Sequence, residues 1–182
     1  WLFYDFRRSN PLAYRILHLP GEGIASRRWF YWLPAQGEPV KIVSALEQGK
    51  LDTLPGQKRV YRSWKELHAT LRDVLPSGGQ VAMEYSPMAA IPVVARVDAG
   101  TVELVRSFGV EVVTSADLVQ YFEARLTPEQ WASHQAAAAV LLEGKRLVKQ
   151  HMAEALRSGQ PLSETSIQTW LAMFVQSRGL RA

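Results

Sequence analysis

The strongest constraint on this chain is a helical pattern too long to belong to an ordinary compact domain, and it begins at Thr127. Thr127-Pro128-Glu129-Gln130 combines an N-cap residue, a proline at the first helical position and a glutamine placed to close a capping box. No stop signal follows until Gly159, so the helix can run to Ser158, about 48 Å at ~1.5 Å per residue. Such a rod cannot be folded into the core of a layer that precedes it. The chain must therefore divide, with residues 1–126 forming one part and 127–182 another. Gly144 lies mid-helix, where it costs about 1 kcal/mol of propensity, and it predicts a bend. Leu162-Ser163-Glu164 then opens a last helix whose Ile167, Trp170, Leu171, Phe174 and Val175 form an apolar stripe.

Upstream, the periods are those of strands and short helices. Trp1–Phe6 is an aromatic-rich run that reads as a buried strand, and Ser9-Asn10-Pro11 turns the chain into a short helix over Leu12–Leu17. Arg28–Leu33 and Pro39–Ala45 form an antiparallel hairpin, and Lys58–Arg62 is a further strand. Ser63-Trp64-Lys65-Glu66 is a capping box. The helix it opens carries Trp64, Leu67, Leu71 and Leu75 on one face. Gln80–Tyr85 is the next strand. Asp98 caps a helix bearing Val102, Val105 and Phe108, Val110–Val113 is a short buried strand, and Ser115 caps a helix reaching Phe122. Alternation of strand and helix over residues 58–125 predicts an α/β layer with parallel strands, and the earlier hairpin makes the sheet a mixed one.

Several kinds of chemistry are excluded by what the chain contains. It has no cysteine, so disulfides, thiolate metal sites and cysteine nucleophiles are absent. The net charge is +4, but the basic pairs Arg7-Arg8, Arg27-Arg28, Lys58-Arg59 and Lys145-Arg146 are scattered rather than gathered on a phosphate-binding face. No nucleic-acid partner is expected. No apolar run is long enough to span a bilayer, so no membrane partner is expected either. The four histidines, His18, His68, His134 and His151, stand apart from carboxylates and from each other. The nucleotide-binding glycine motifs and the serine-hydrolase elbow are missing. Asp98, Asp117 and Glu129 all sit at helix starts, where carboxylates offset the helix dipole.

One segment remains. Tyr4-Asp5-Phe6-Arg7-Arg8-Ser9-Asn10-Pro11 gathers charge, amide and proline at the end of an aromatic strand. An Asp5–arginine ion pair with an Asn10 turn accounts for it structurally. A polar lip facing a substrate or a partner accounts for it functionally, since strand ends in α/β sheets often carry such lips.

These residues also carry a resemblance. Tyr4-Asp5-Phe6-Arg7 with Ser9-Asn10-Pro11, Arg27-Arg28-Trp29-Phe30-Tyr31, Met83-Glu84-Tyr85-Ser86-Pro87, Ile91-Pro92, Arg96-Val97-Asp98-Ala99-Gly100-Thr101 and Ser115-Ala116-Asp117-Leu118-Val119-Gln120 resemble, in order, the creatinase-like amino-terminal domain of Xaa-Pro peptidases, the aminopeptidase P and prolidase family. The resemblance implies a mixed-sheet α/β domain over 1–126, then a long linker helix and one further helix that begin a truncated pita-bread domain over 127–182. In that family the second domain holds two divalent metals, manganese or cobalt, through five ligands that have no counterpart here. The chain alone is thus expected to hold no cofactor and to be inactive, while its full-length parent is a cytoplasmic metallopeptidase cleaving next to proline. The partners implied are the missing catalytic domain, a second copy in a homodimer or larger homo-oligomer, and proline-containing peptides in the parent. Arg7, Asn10 and Asp5 match the lip that lends side chains to a neighbouring subunit's substrate pocket. Arg8 departs from the pattern, which more often has glycine. A stand-alone α/β protein-binding module using Trp170 and Phe174, or a creatinase-like hydrolase without peptidase activity, are the alternatives. An apolar stripe left open on the last helix favours the first reading, and a stripe buried internally favours a stand-alone module.

Overall fold

Alternating aromatics build the first strand pair. In the computed structural model, which describes residues 1–23 and 25–181, β1 (Leu2–Asp5) pairs antiparallel with β2 (Trp29–Trp32), and all eight residues are buried. Successive side chains of a strand point to opposite faces. Leu2, Tyr4, Phe30 and Trp32 therefore enter one core, while Phe3, Trp29 and Tyr31 enter another. A strand covered on both sides has no polar face to show, which is why Trp1–Tyr4 reads as one unbroken apolar run.

The predicted hairpin is present: β2 pairs antiparallel with β3 (Val40–Ser44). β4 (Gln57–Tyr61) then joins β3 in parallel, giving a four-stranded mixed sheet in the order β1-β2-β3-β4. β5 (Gln80–Met83) and β6 (Glu111–Thr114) make a second, parallel pair. Parallel pairing is thus found as β3–β4 and β5–β6, and β4 does not pair with β5. Gly56 makes the β3–β4 closure possible. Its φ is +104°, and a Cβ there would stand 2.2 Å from the Pro39 carbonyl oxygen, the same oxygen that accepts from the Gln57 amide at 2.9 Å.

The helices of this first unit are α1 (Pro11–Ile16), α2 (Trp64–Val74), α3 (Ala99–Arg106) and α4 (Ala116–Glu123). α2 seals the first core with Leu67, Leu71 and, just beyond its end, Leu75, against Val81, Met83, Val102 and Val105. Two expectations about α2 need correction. Trp64 is 59% exposed rather than buried with the leucines; as the first helical residue it lies over solvent, with its ring 5.3 Å from that of His68. Ser63 does cap Glu66 at 3.2 Å, but the Glu66 carboxylate reaches past Ser63 to the Arg62 amide at 2.8 Å.

The chain separates into two compact units, Trp1–Arg125 and Leu126–Ala182. The second consists of α5 (Pro128–Ser158) and α6 (Glu164–Ser177). Thr127 and Gln130 close their capping box, and Gly159 ends α5 in the left-handed conformation. α5 runs through Gly144 as one helix of 31 residues. That glycine is a packing position: a Cβ would meet Leu171 at 3.0 Å and Phe174 at 3.1 Å, so its bare backbone lets α6 approach. Val175 is buried and Ile167, Trp170, Leu171 and Phe174 are half-buried. Leu142, Leu156 and Met173 remain 66%, 80% and 66% exposed. No helix among the described residues is long and apolar enough to cross a membrane.

Candidate functional site at the ends of β1, β5 and β6

The turn after β1 is held from within. Asp5 is fully buried, and its carboxylate accepts from the Arg8 amide at 3.1 Å, the Asn10 amide at 3.0 Å and the Tyr14 hydroxyl at 3.2 Å. Asn10, also fully buried, accepts from the Ala13 amide at 3.1 Å as the N-cap of α1. Its side-chain amide donates to the Tyr4 carbonyl at 2.9 Å and to Glu84 Oε2 at 2.8 Å. Neither residue faces solvent, and no Asp5–arginine ion pair forms among the described residues. Of the three predicted lip residues, Arg7 alone is exposed, its guanidinium 5.2 Å from the centre of the half-exposed Phe6 ring.

Arg7 and Arg8 have φ of 56° and 59°, the left-handed region that non-glycine residues enter at a cost. Glycine occupies that region freely, so a glycine at the position of Arg8 would suit the local backbone. Here Arg8 instead hydrogen-bonds the Gly23 carbonyl.

Glu84 is the residue that sequence reasoning missed as a structural hub. It follows β5 directly, is fully buried, and accepts from Trp1 Nε1 at 2.7 Å, Asn10 Nδ2 at 2.8 Å and Ser115 Oγ at 3.2 Å. Its backbone carbonyl accepts from the Arg96 and Val97 amides at 2.8 and 3.1 Å. One side chain thus ties together the ends of β1, β5 and β6. Burial pushes its carboxyl above the ordinary range, against the pull of the donors from Trp1, Asn10 and Ser115. Ser115, expected to cap α4 with its hydroxyl, makes no side-chain cap bond; it turns that hydroxyl to Glu84. The available signal was a lone glutamate at the end of a buried strand, which must find donors.

Beside this pedestal lies a cleft of about 390 Å³ lined by Tyr4, Phe6, Ser9, Ala95, Arg96, Val97 and Asp98. Asp98 caps α3 through Thr101, accepting from its amide at 2.9 Å and its hydroxyl at 2.8 Å. Burial works upward on the Asp98 carboxyl, but the Thr101 donors and Tyr4 outweigh it and hold the pKa below the usual value. Burial pushes the Tyr4 phenol up to about 12. The cleft offers a cation, an anion and an aromatic edge, which suits binding and orientation rather than bond cleavage. Among the described residues no group of three or more His, Asp or Glu is placed to hold a metal ion. His134 stacks on Trp131, and His151 on Trp170.

With this geometry in view, the solved structures offer a likeness. A crystal structure of recombinant prolidase from Thermococcus sibiricus matches with a TM-score of 0.50 and 11% sequence identity, covering 97% of this chain and 43% of that one. The likeness is one of fold. It spans both units and sets the mixed α/β architecture beside that of a prolidase. No protein-family model matches the chain, and no curated protein does. This chain spans less than half the length of the prolidase it resembles.

Proposed function

We propose that this chain is the amino-terminal, non-catalytic part of a metal-dependent peptidase that cleaves next to proline, serving assembly and substrate shaping. The observation that carries the reading is the fold likeness to a prolidase across 97% of the chain. The turn geometry supports it, because a buried lattice from Asp5, Asn10 and Glu84 would hold Arg7 rigidly at the surface, as a side chain lent to a neighbouring pocket requires. The two divalent ions, manganese or cobalt, belong in this reading to a catalytic part outside residues 1–182. There they would supply an activated hydroxide. Leu142, Leu156 and Met173, open to solvent on α5 and α6, fit a surface that such a part would cover. The same reading sets the parent in the cytoplasm as a homo-oligomer.

The test is kinetic. In the longer polypeptide, Arg7→Ala should raise KM for Xaa-Pro peptides about tenfold, the loss of one charge-assisted contact, while changing kcat little. Unchanged kcat and KM across a panel of such peptides would remove Arg7 from the site. Residues 1–182 alone should hydrolyse no Xaa-Pro peptide with manganese or cobalt added, and metal-dependent turnover above the blank would overturn the reading.

One observation favours the stand-alone module. The α6 stripe is packed on α5, with Trp170 stacked on His151 at 6.2 Å, Leu171 and Phe174 beside Gly144, and Val175 buried, as a self-sufficient helical pair would have it. In that case the protein's partner would not be grasped by Trp170 and Phe174, since they are already engaged.

A further inference from the structure

We infer that the open edge of β4 is a docking site for an extended, acidic segment of a partner protein, which adds to the sheet as a fifth strand. The parity of the β3–β4 ladder determines which backbone groups are free. The Gln57 amide donates to Pro39 O at 2.9 Å, and the Tyr61 carbonyl accepts from the Ala45 amide at 2.8 Å. Gln57, Arg59 and Tyr61 therefore turn their backbone groups toward β3, and Lys58 and Val60 turn theirs away. The amides and carbonyls of Lys58 and Val60 have no hydrogen-bond partner among the described residues, and no strand lies beyond β4. At Arg62 the edge closes, its amide bonded to Glu66.

Charge selects the occupant. Lys58 and Arg59 project to opposite faces of the strand and are exposed, with Arg62 and Lys65 exposed just beyond. Of the nearby acids, Asp52 pairs with Lys58, while Glu66 and Glu38 accept from the Arg62 amide and from Gln57 Nε2 at 3.0 Å, so three acids stand beside these four cations and Arg59, Arg62 and Lys65 form no ion pair among the described residues. A strand laid beside β4 would thus set its side chains next to cations on both faces. An acidic sequence fits that setting. A second copy of this chain, pairing edge to edge, would bring Lys58 and Arg59 against their own equivalents, so self-association through β4 is disfavoured. Single-stranded nucleic acid has no means of using the free amides and carbonyls in register, which makes a polypeptide the better match. Lysine on an edge strand also guards against aggregation, and the same charge that repels a basic edge admits an acidic one.

The experiment titrates a fluorescently labelled, blocked alternating peptide, (Glu-Val)4, into the intact chain and follows anisotropy, with (Lys-Val)4 and a poly-uridylate oligomer as competitors. Saturable binding of the acidic peptide is expected, with slowed hydrogen exchange at the Lys58 and Val60 amides. R59E with R62E should weaken it at least tenfold. Lys58→Pro, tolerated on an edge strand because the lost amide faces outward, should weaken it about fivefold, as expected for one backbone hydrogen bond. Both variants are to be checked for native circular dichroism, and the charge variant alone decides if the proline variant fails to fold. Absence of saturable binding, unchanged exchange at Lys58 and Val60, or equal competition by poly-uridylate would each overturn the proposal.

Discussion

At the residue scale, Glu84 is the most consequential side chain in the first unit. It is a buried carboxylate that accepts from three neutral donors, and burial outweighs those hydrogen bonds and raises its pKa. The raised value fixes the sign of its pH dependence: the stability it contributes is complete below the unfolded carboxyl value of ~4.3 and is lost as pH climbs through the folded pKa. Glu84→Gln should therefore change in relative stability with pH. Its melting temperature, compared with that of the native chain, should improve as pH rises above ~4.3, and a difference independent of pH would show that burial is not controlling this group. Little of this hub was legible beforehand. Arg7, Asn10 and Asp5 are expected at a lip through the resemblance of their segment, while spacing alone predicts an Asp5–arginine pair and an Asn10 turn. The actual partners of Asp5 and Asn10 are the local backbone, the Tyr14 hydroxyl for Asp5 and, for Asn10, Glu84, 74 residues away. A side chain's orientation, in or out, depends on that distant partner, and local spacing does not encode it.

At the element scale, most helices and strands were readable to within a residue or two because their ends are chemically marked. Ser63, Asp98, Thr127 and Ser163 each cap the helix predicted for them. What the pattern could not supply was pairing. The rhythm of strand and helix after residue 57 says parallel, but not that β4 turns back to β3 while β5 takes β6. Gly56 is where that choice is made, and it offers a sharp test. Gly56→Ala would force a Cβ into the Pro39 backbone, 2.2 Å from its oxygen and 2.7 Å from its carbonyl carbon, at a φ of +104°. Neither neighbour is a flexible side chain that can yield. A loss of about 3 kcal/mol or more is expected in denaturant unfolding, against the ~1 kcal/mol that an unstrained exposed substitution would cost at most. Gly144 shows the converse: read as a bend from propensity alone, it serves the contact with Leu171 and Phe174.

At the scale of the molecule, the three buried clusters found among the described residues are drawn entirely from residues before Arg125. Residues 1–125 expressed alone should consequently unfold in one cooperative transition by circular dichroism. Residues 126–182 alone should melt broadly and bind a hydrophobic dye, since a two-helix unit leaves Leu142, Leu156 and Met173 uncovered. A broad melt for the first piece would mean that its cores depend on the second. The opposite-facing placement of Trp29 and Trp32 on β2 has a further use. Three residues apart, one indole sits in the layer with Phe3 and Tyr31 and the other in the layer with Leu2 and Phe30. Kept singly while the other tryptophans are replaced by phenylalanine, they become two built-in optical probes, each reporting when water reaches its own side of the sheet.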